Sequence, residues 1–135
     1  MSKHETKMTR WYHRTYHPEG FLIEEFMALK GGKTNGRRLM DGVIIFQKPF
    51  EKRELQKGEK VVVIQSKNRR LGMGLIGQVV VSKYLMEKLG ATVVKSVGVC
   101  RGIDDEMNAA LLTHPSCEAV SYKLRPFKRK KRKKK

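Results

Sequence analysis

The chain has 135 residues, a length that suits one domain with a core of its own. Its 30 Lys and Arg outnumber 13 Asp and Glu for a formal net charge of +17, and removing the eight basic residues at 128–135 still leaves +9. That excess predicts a polyanionic partner, nucleic acid being the commonest. No apolar run approaches the roughly 18–20 residues of a membrane span, and no lipidation signal is present.

Met1 to Glu5 carry no apolar signal-peptide core, which predicts a cytoplasmic or nucleoid-associated protein, nuclear if the source is eukaryotic, and not a secreted one. Cys100 and Cys117 are too few for a disulfide framework and read as buried free thiols.

In chain order, residues 1–17 read as a basic arm with interleaved Trp11, Tyr12 and Tyr16 and no clear period. Arg10 and Arg14 can meet phosphates and the aromatics can stack on bases, or the aromatics can dock the arm on the body. His13 and His17 would share a helical face, but without a third ligand they read as docking or solvated histidines. From Pro18 to about Lys30 the spacing predicts a helix, with Leu22, Phe26 and Leu29 at i, i+4 and i+7 and Ile23 beside them. Glu25 flanks that stripe and is the carboxylate expected to look inward, while Glu24 points further away as an accessory at most. Gly31-Gly32 ends the helix.

Arg37 to Phe46 predicts a strand with Leu39, Asp41, Val43 and Ile45 on one face and Met40, Ile44 and Phe46 on the other. An acid within such a run needs a partner, either Arg37 or Arg38 or a bound cation. Residues 47–60 are charged, contain Pro49 and Gly58, and read as a hairpin loop or mobile flap. Val61 to Lys67 is a strongly β-prone run without Pro or Gly, as expected of a strand buried on both sides. Gln65 and Lys67 share a face of it, where an amide and an ammonium are costly without a role.

A helix to about Leu89 follows, keeping Leu75, Val79, Ser82, Leu85 and Leu89 in helical spacing. Val93 to Cys100 reads as a strand, Asp104 or Asp105 caps a short helix through Leu112, and Cys117 to Tyr122 reads as a short strand. The order predicts an α/β fold with a small mixed sheet of about four strands flanked by helices. Gly72, Gly74 and Gly77 satisfy the dinucleotide-binding GxGxxG pattern. However, four residues separate the strand from the first Gly, and the next strand offers no acid for a ribose. The glycines are read instead as permitting close helix-to-sheet packing or the approach of backbone N–H groups to a phosphate. Residues 124–135 are expected to be a disordered polybasic tail. There Lys128, Arg129, Lys130, Lys131 and Arg132 hold DNA by counterion release or, in a eukaryote, act as an import signal.

Pairing of the two apolar strands brings Asp41 towards Gln65 and Lys67, with Glu25 approaching from the first helix. Carboxylates, an amide oxygen and the Ser66 backbone carbonyl are hard ligands that suit Mg²⁺ or Mn²⁺. Such an ion polarises a phosphodiester and acidifies a bound water that Lys67 can orient. The alternative is a buried Asp41–Lys67 ion pair in a purely structural sheet.

Glu25, the run Arg37 to Ile44, the run Val63 to Lys67, and a helix carrying Gly77-Gln78 resemble the PD-(D/E)xK nuclease superfamily, over roughly Pro18 to Cys100. The resemblance implies a restriction-endonuclease-like core at 18–123 and a metal-dependent DNA endonuclease or exonuclease. It makes Asp41, Gln65 and Glu25 catalytic metal ligands, Lys67 the catalytic lysine, and Gln78 a possible accessory. Arg37, Arg38, Arg69 and Arg70 would meet phosphates. Gln65 stands where an acid is usual, as in TnsA-type transposon-end endonucleases, and Ser82 stands where the RecB-like QxxxY branch has tyrosine. The alternative functions are a catalytically inactive DNA-binding or packaging protein and, third, a ribosome-associated or RNA-binding protein. Oligomeric state stays open, a homodimer among the options.

Overall fold

The run at 61–66 is the central strand of a five-stranded sheet, and helices cover both faces of it. The computed structural model describes residues 2–34 and 36–123. In chain order the elements are α1 (Lys3–Tyr16), β1 (Phe21–Leu29), β2 (Arg38–Ile45), β3 (Lys60–Ser66), α2 (Met73–Lys88), β4 (Thr92–Cys100), α3 (Asp105–Leu112) and β5 (Cys117–Ser121). The strands lie in sequence order, β1, β2 and β3 antiparallel and β3, β4 and β5 parallel. The α/β class is as expected, with one strand more than the sequence suggested.

On one face, Met8 and Tyr12 of α1 pack with Ile44, Val62, Ile64, Val97 and Val99. On the other, α2 closes the core through Leu75, Val79 and Met86, and α3 adds Leu111. Val61 to Ile64 are therefore fully buried from both sides, which is why the run shows no polar alternation. Both cysteines are buried free thiols. Among the described residues no helix is long and apolar enough to cross a membrane.

Two elements differ from the sequence reading. The expected arm is the helix α1, opened by Ser2, whose hydroxyl accepts the Glu5 N–H at 3.2 Å. Its aromatics dock it: Trp11 meets Tyr122 edge-on at 5.1 Å, and Tyr12 stacks on Tyr16. His13 Nε2 lies 2.8 Å from the Gly20 carbonyl and His17 lies beside Glu19, so neither histidine is a ligand in waiting.

The expected helix at 18–30 is the edge strand β1. Leu22 packs towards α1, while Ile23, Phe26 and Ala28 all enter the core under α2, so the two-residue alternation slips between Ile23 and Phe26. The slip falls at Glu25, a non-glycine residue with φ of 53°. Across the ladder Glu24 pairs with Gly42 and Phe26 with Met40, which places Glu25 opposite Asp41 at the unpaired rung. The slip recurs on β2, where Met40 joins Val43 and Ile45 in one core instead of taking the opposite face.

Two glycines let the helices sit close. A Cβ on Gly42 would lie 2.8 Å from Thr9 Cγ2 of α1, and one on Gly98 would lie 2.9 Å from Val79 Cγ2 of α2. Gly74 and Gly77 face open space, so the close-packing role expected of the glycine-rich run falls to Gly98 instead. The 47–59 connection is tied by Arg53, which bonds the Gln47, Pro49 and Glu54 carbonyls and forms a two-pronged pair with the buried Glu59 carboxylate at 2.6 and 2.9 Å. The polybasic run at 128–135 lies outside the described residues.

Candidate active site

The β2–β3 ladder ends at the Gly42–Ile64 pair. One rung on, the Asp41 side chain replaces the missing backbone acceptor: its Oδ2 takes the Ser66 N–H at 2.7 Å. Asp41 is thereby fixed in the gap between two parting strands, half-buried. Burial raises its carboxyl above the ordinary value; the Ser66 N–H opposes this, the Glu5 carboxylate adds to the rise, and Lys67 opposes it.

Glu5 reaches this gap from the first turn of α1. Its Oε2 accepts the Asn68 N–H at 3.3 Å, just beyond β3. One turn later in α1, Thr9 Oγ1 meets Ser66 Oγ at 2.7 Å and donates to the Glu5 carbonyl at 2.9 Å. Thr9 Cγ2 lies over Gly42, so the close approach that glycine permits seats the start of α1, which carries Glu5, on this part of the sheet.

Gln65 turns to the opposite face of β3. It is 5 % exposed, and its Nε2 donates to Ser82 Oγ at 2.8 Å and to Met40 Sδ at 3.4 Å. Ser82 is brought to it by α2, which is seated on Gly98 and pinned by the Ser96 hydroxyl donating to the Val79 carbonyl at 2.7 Å. Neither Gln65 bond uses Oε1, the atom a cation would select. Lys67 follows the strand end, half-buried, its N–H held by the Val99 carbonyl at 2.9 Å. Among the described residues no ion pair joins Lys67 to Asp41, so a closed structural pair is not what the strands build.

The remaining expected residues fall as follows. Glu25 is exposed on β1, and the described side-chain charges acting on Asp41 are Glu5 and Lys67, not Glu25. The first-helix acid that reaches Asp41 is therefore Glu5; Glu25 loses the helix that was to carry it. Glu24 is bound by Arg10, whose Nη2 donates to Oε1 at 2.9 Å. Arg37 and Arg38 are exposed at the start of β2, and Arg38 turns to the Arg37 carbonyl at 3.1 Å without meeting Asp41. Arg69 and Arg70 are exposed beyond β3, and Gln78 is exposed on α2 one turn before Ser82. Sequence reasoning missed Glu5, Thr9 and Asn68. The available signal was Ser2-x-x-Glu5, a helix-start pattern that places an acid in a first turn.

Among the described residues no three His, Cys, Asp or Glu side chains gather around one point. Comparisons with protein families, curated proteins and solved structures returned no match.

Proposed function

We propose that the chain is a metal-dependent DNA nuclease of the PD-(D/E)xK type, acting at Asp41, Glu5 and Lys67. The observation that carries the reading is that two carboxylates from separate elements, Asp41 and Glu5, accept the N–H groups of Ser66 and Asn68, two residues apart at the end of β3 and on either side of Lys67. The helix-first order, with three antiparallel strands followed by a crossover helix and a parallel strand, supports it.

The fit to a divalent ion rests on the donor set. Two neighbouring half-buried carboxylates repel one another and lose solvation, and a small hard cation offsets both costs. Asp41 and Glu5 would hold Mg²⁺ or Mn²⁺, with the Ser66 carbonyl as a neutral oxygen. When bound, the ion supplies Lewis-acid polarisation of a phosphodiester and a more acidic water. The Lys67 ammonium orients that water and balances charge building on the phosphate. Gln65, expected from the sequence as a ligand, is bonded to Ser82 on the other face of β3 and stands outside this set, and Thr9 fixes the helix that carries Glu5. DNA as the substrate places the protein in the cytoplasm at the nucleoid, or in a nucleus.

Supercoiled plasmid incubated with Mg²⁺ or Mn²⁺ tests the reading. Wild type is expected to nick or linearise it, and Asp41→Ala, Lys67→Ala and Glu5→Gln each to lose at least about a hundredfold in rate. Equal behaviour of wild type and all three variants would remove the hydrolase and leave a nuclease-fold DNA-binding or packaging protein.

A further inference from the structure

Beyond the ends of β3 and β4 the chain does not loosen. The Arg101 N–H donates to the Arg69 carbonyl at 2.8 Å, the Leu71 N–H to the Gly102 carbonyl at 2.8 Å, and Arg70 bridges Gly102 in parallel register. The two segments thus extend the parallel pair as a short rigid ledge, on which Arg69, Arg70 and Arg101 are all exposed. Among the described residues none of these guanidiniums has a carboxylate partner. Arg101 is nonetheless held: its Nη1 donates to Asn68 Oδ1 at 3.0 Å, and its guanidinium lies 5.9 Å from the Tyr122 ring centre. Asn68 is also the residue whose N–H holds Glu5, so one residue links the ledge to the carboxylate pair.

We propose that this ledge is a backbone clamp for duplex nucleic acid, with Arg101 as its oriented member. This deepens the nuclease reading and borrows its location, but the clamp requires no hydrolysis. Guanidiniums without a carboxylate partner match phosphate oxygens, and the held one, Arg101, loses little freedom on binding. Among the described residues the ledge carries cations and no free aromatic ring, and the choice of duplex follows from that. A single strand is gripped by exposed aromatic platforms, and the nearby Tyr122 is already occupied between Trp11 and Arg101. Cations without stacking groups read a regular phosphate track and not splayed bases.

The test is fluorescence anisotropy of a labelled 20-base-pair DNA duplex across a salt series in EDTA, using the full chain. Log K against log salt is expected to flatten by about 0.9 for Arg101→Gln and by about 2.7 for Arg69→Gln/Arg70→Gln/Arg101→Gln. Asn68→Ala preserves every charge and the N–H that Glu5 accepts, so it should weaken binding several-fold at unchanged slope. A triple variant with the wild-type slope overturns the clamp, and a single strand that competes as well as the duplex overturns the choice of partner. Flattened slopes in a protein that never cuts plasmid would leave the clamp standing and remove only the hydrolase.

Discussion

The Ser66 amide donates to the Asp41 carboxylate one rung beyond the last backbone pair of β2 and β3. A side chain there does the work of a strand, and it does so half-buried and next to a second acid. Folding therefore raises the Asp41 carboxyl, so the folded state binds its proton more tightly than the unfolded chain does. Stability attached to this group is present below the unfolded value of about 3.9 and is lost as pH rises through the higher folded value. At neutral pH Asp41→Asn should remove that cost while keeping an oxygen for the Ser66 N–H. The Tm is therefore expected to rise. Thermal melts with and without Mn²⁺ check it: the ion should raise the wild-type Tm and leave the variant's unchanged.

Arg53 and Glu59 predict the opposite pH dependence. The Arg53 guanidinium holds the Glu59 carboxyl below its ordinary value, with the Gln56 N–H assisting. That stability is present above the unfolded value of about 4.3 and is lost as pH falls through the lower folded one. Glu59→Gln should therefore flatten the acid limb of a urea-stability profile between about pH 2 and 5. Arg53→Ala leaves a buried carboxylate unpaired and should cost about 2–3 kcal/mol at pH 7.

Much of the sheet was legible because its strands are apolar on both faces and flanked by clear breaks. The run at 61–66, the Asp41 strand and the α2–β4 unit all fall where patterning placed them. The edge strand was misread for a local reason. The left-handed turn of the backbone at Glu25 shifts the side-chain phase by one, so inward residues come at 23, 26 and 28 instead of at every second position. With Leu22 and Leu29 beside them, those positions imitate a helical stripe. The arm was misread because its buried side comprises only Met8, Thr9 and Tyr12, with aromatics and cations on the flanks. The two errors compound, since the acid was sought on the wrong element. Asp41, Gln65 and Lys67 were legible because polar groups inside apolar strands stand out, whereas Glu5 lies among charges and only packing singles it out.

Gly42 and Gly77 separate packing from propensity. A Cβ at Gly42 would meet Thr9 Cγ2 at 2.8 Å and Leu22 Cδ1 at 2.9 Å, and the stiff Thr9 cannot turn aside. Gly42→Ala should lift α1, cost about 1–3 kcal/mol, and weaken Mn²⁺ binding by moving Glu5 away from Asp41. Gly77 lies within α2 with nothing near a Cβ, so Gly77→Ala should stabilise by up to about 1 kcal/mol. Urea denaturation of both variants, with Mn²⁺ titration of the folded proteins, gives the comparison.

The sharpest contrast is between two glutamates. Both are acids near Asp41 in some sense: Glu25 faces it across the β1–β2 ladder, and Glu5 faces it from α1. Only Glu5 is held in place there, by the Asn68 N–H, and only Glu5 acts on the Asp41 carboxyl. Removing the charge at position 5 should therefore weaken divalent-ion binding, and removing it at position 25 should not. Isothermal titration with Mn²⁺ is expected to show Glu5→Gln binding at least about tenfold more weakly than wild type, the loss of one carboxylate from a two-carboxylate site. Glu25→Gln should titrate like wild type. The reverse order would return the ligand to β1, whereas equal titrations in all three proteins would mean that the ion does not bind between α1 and the sheet.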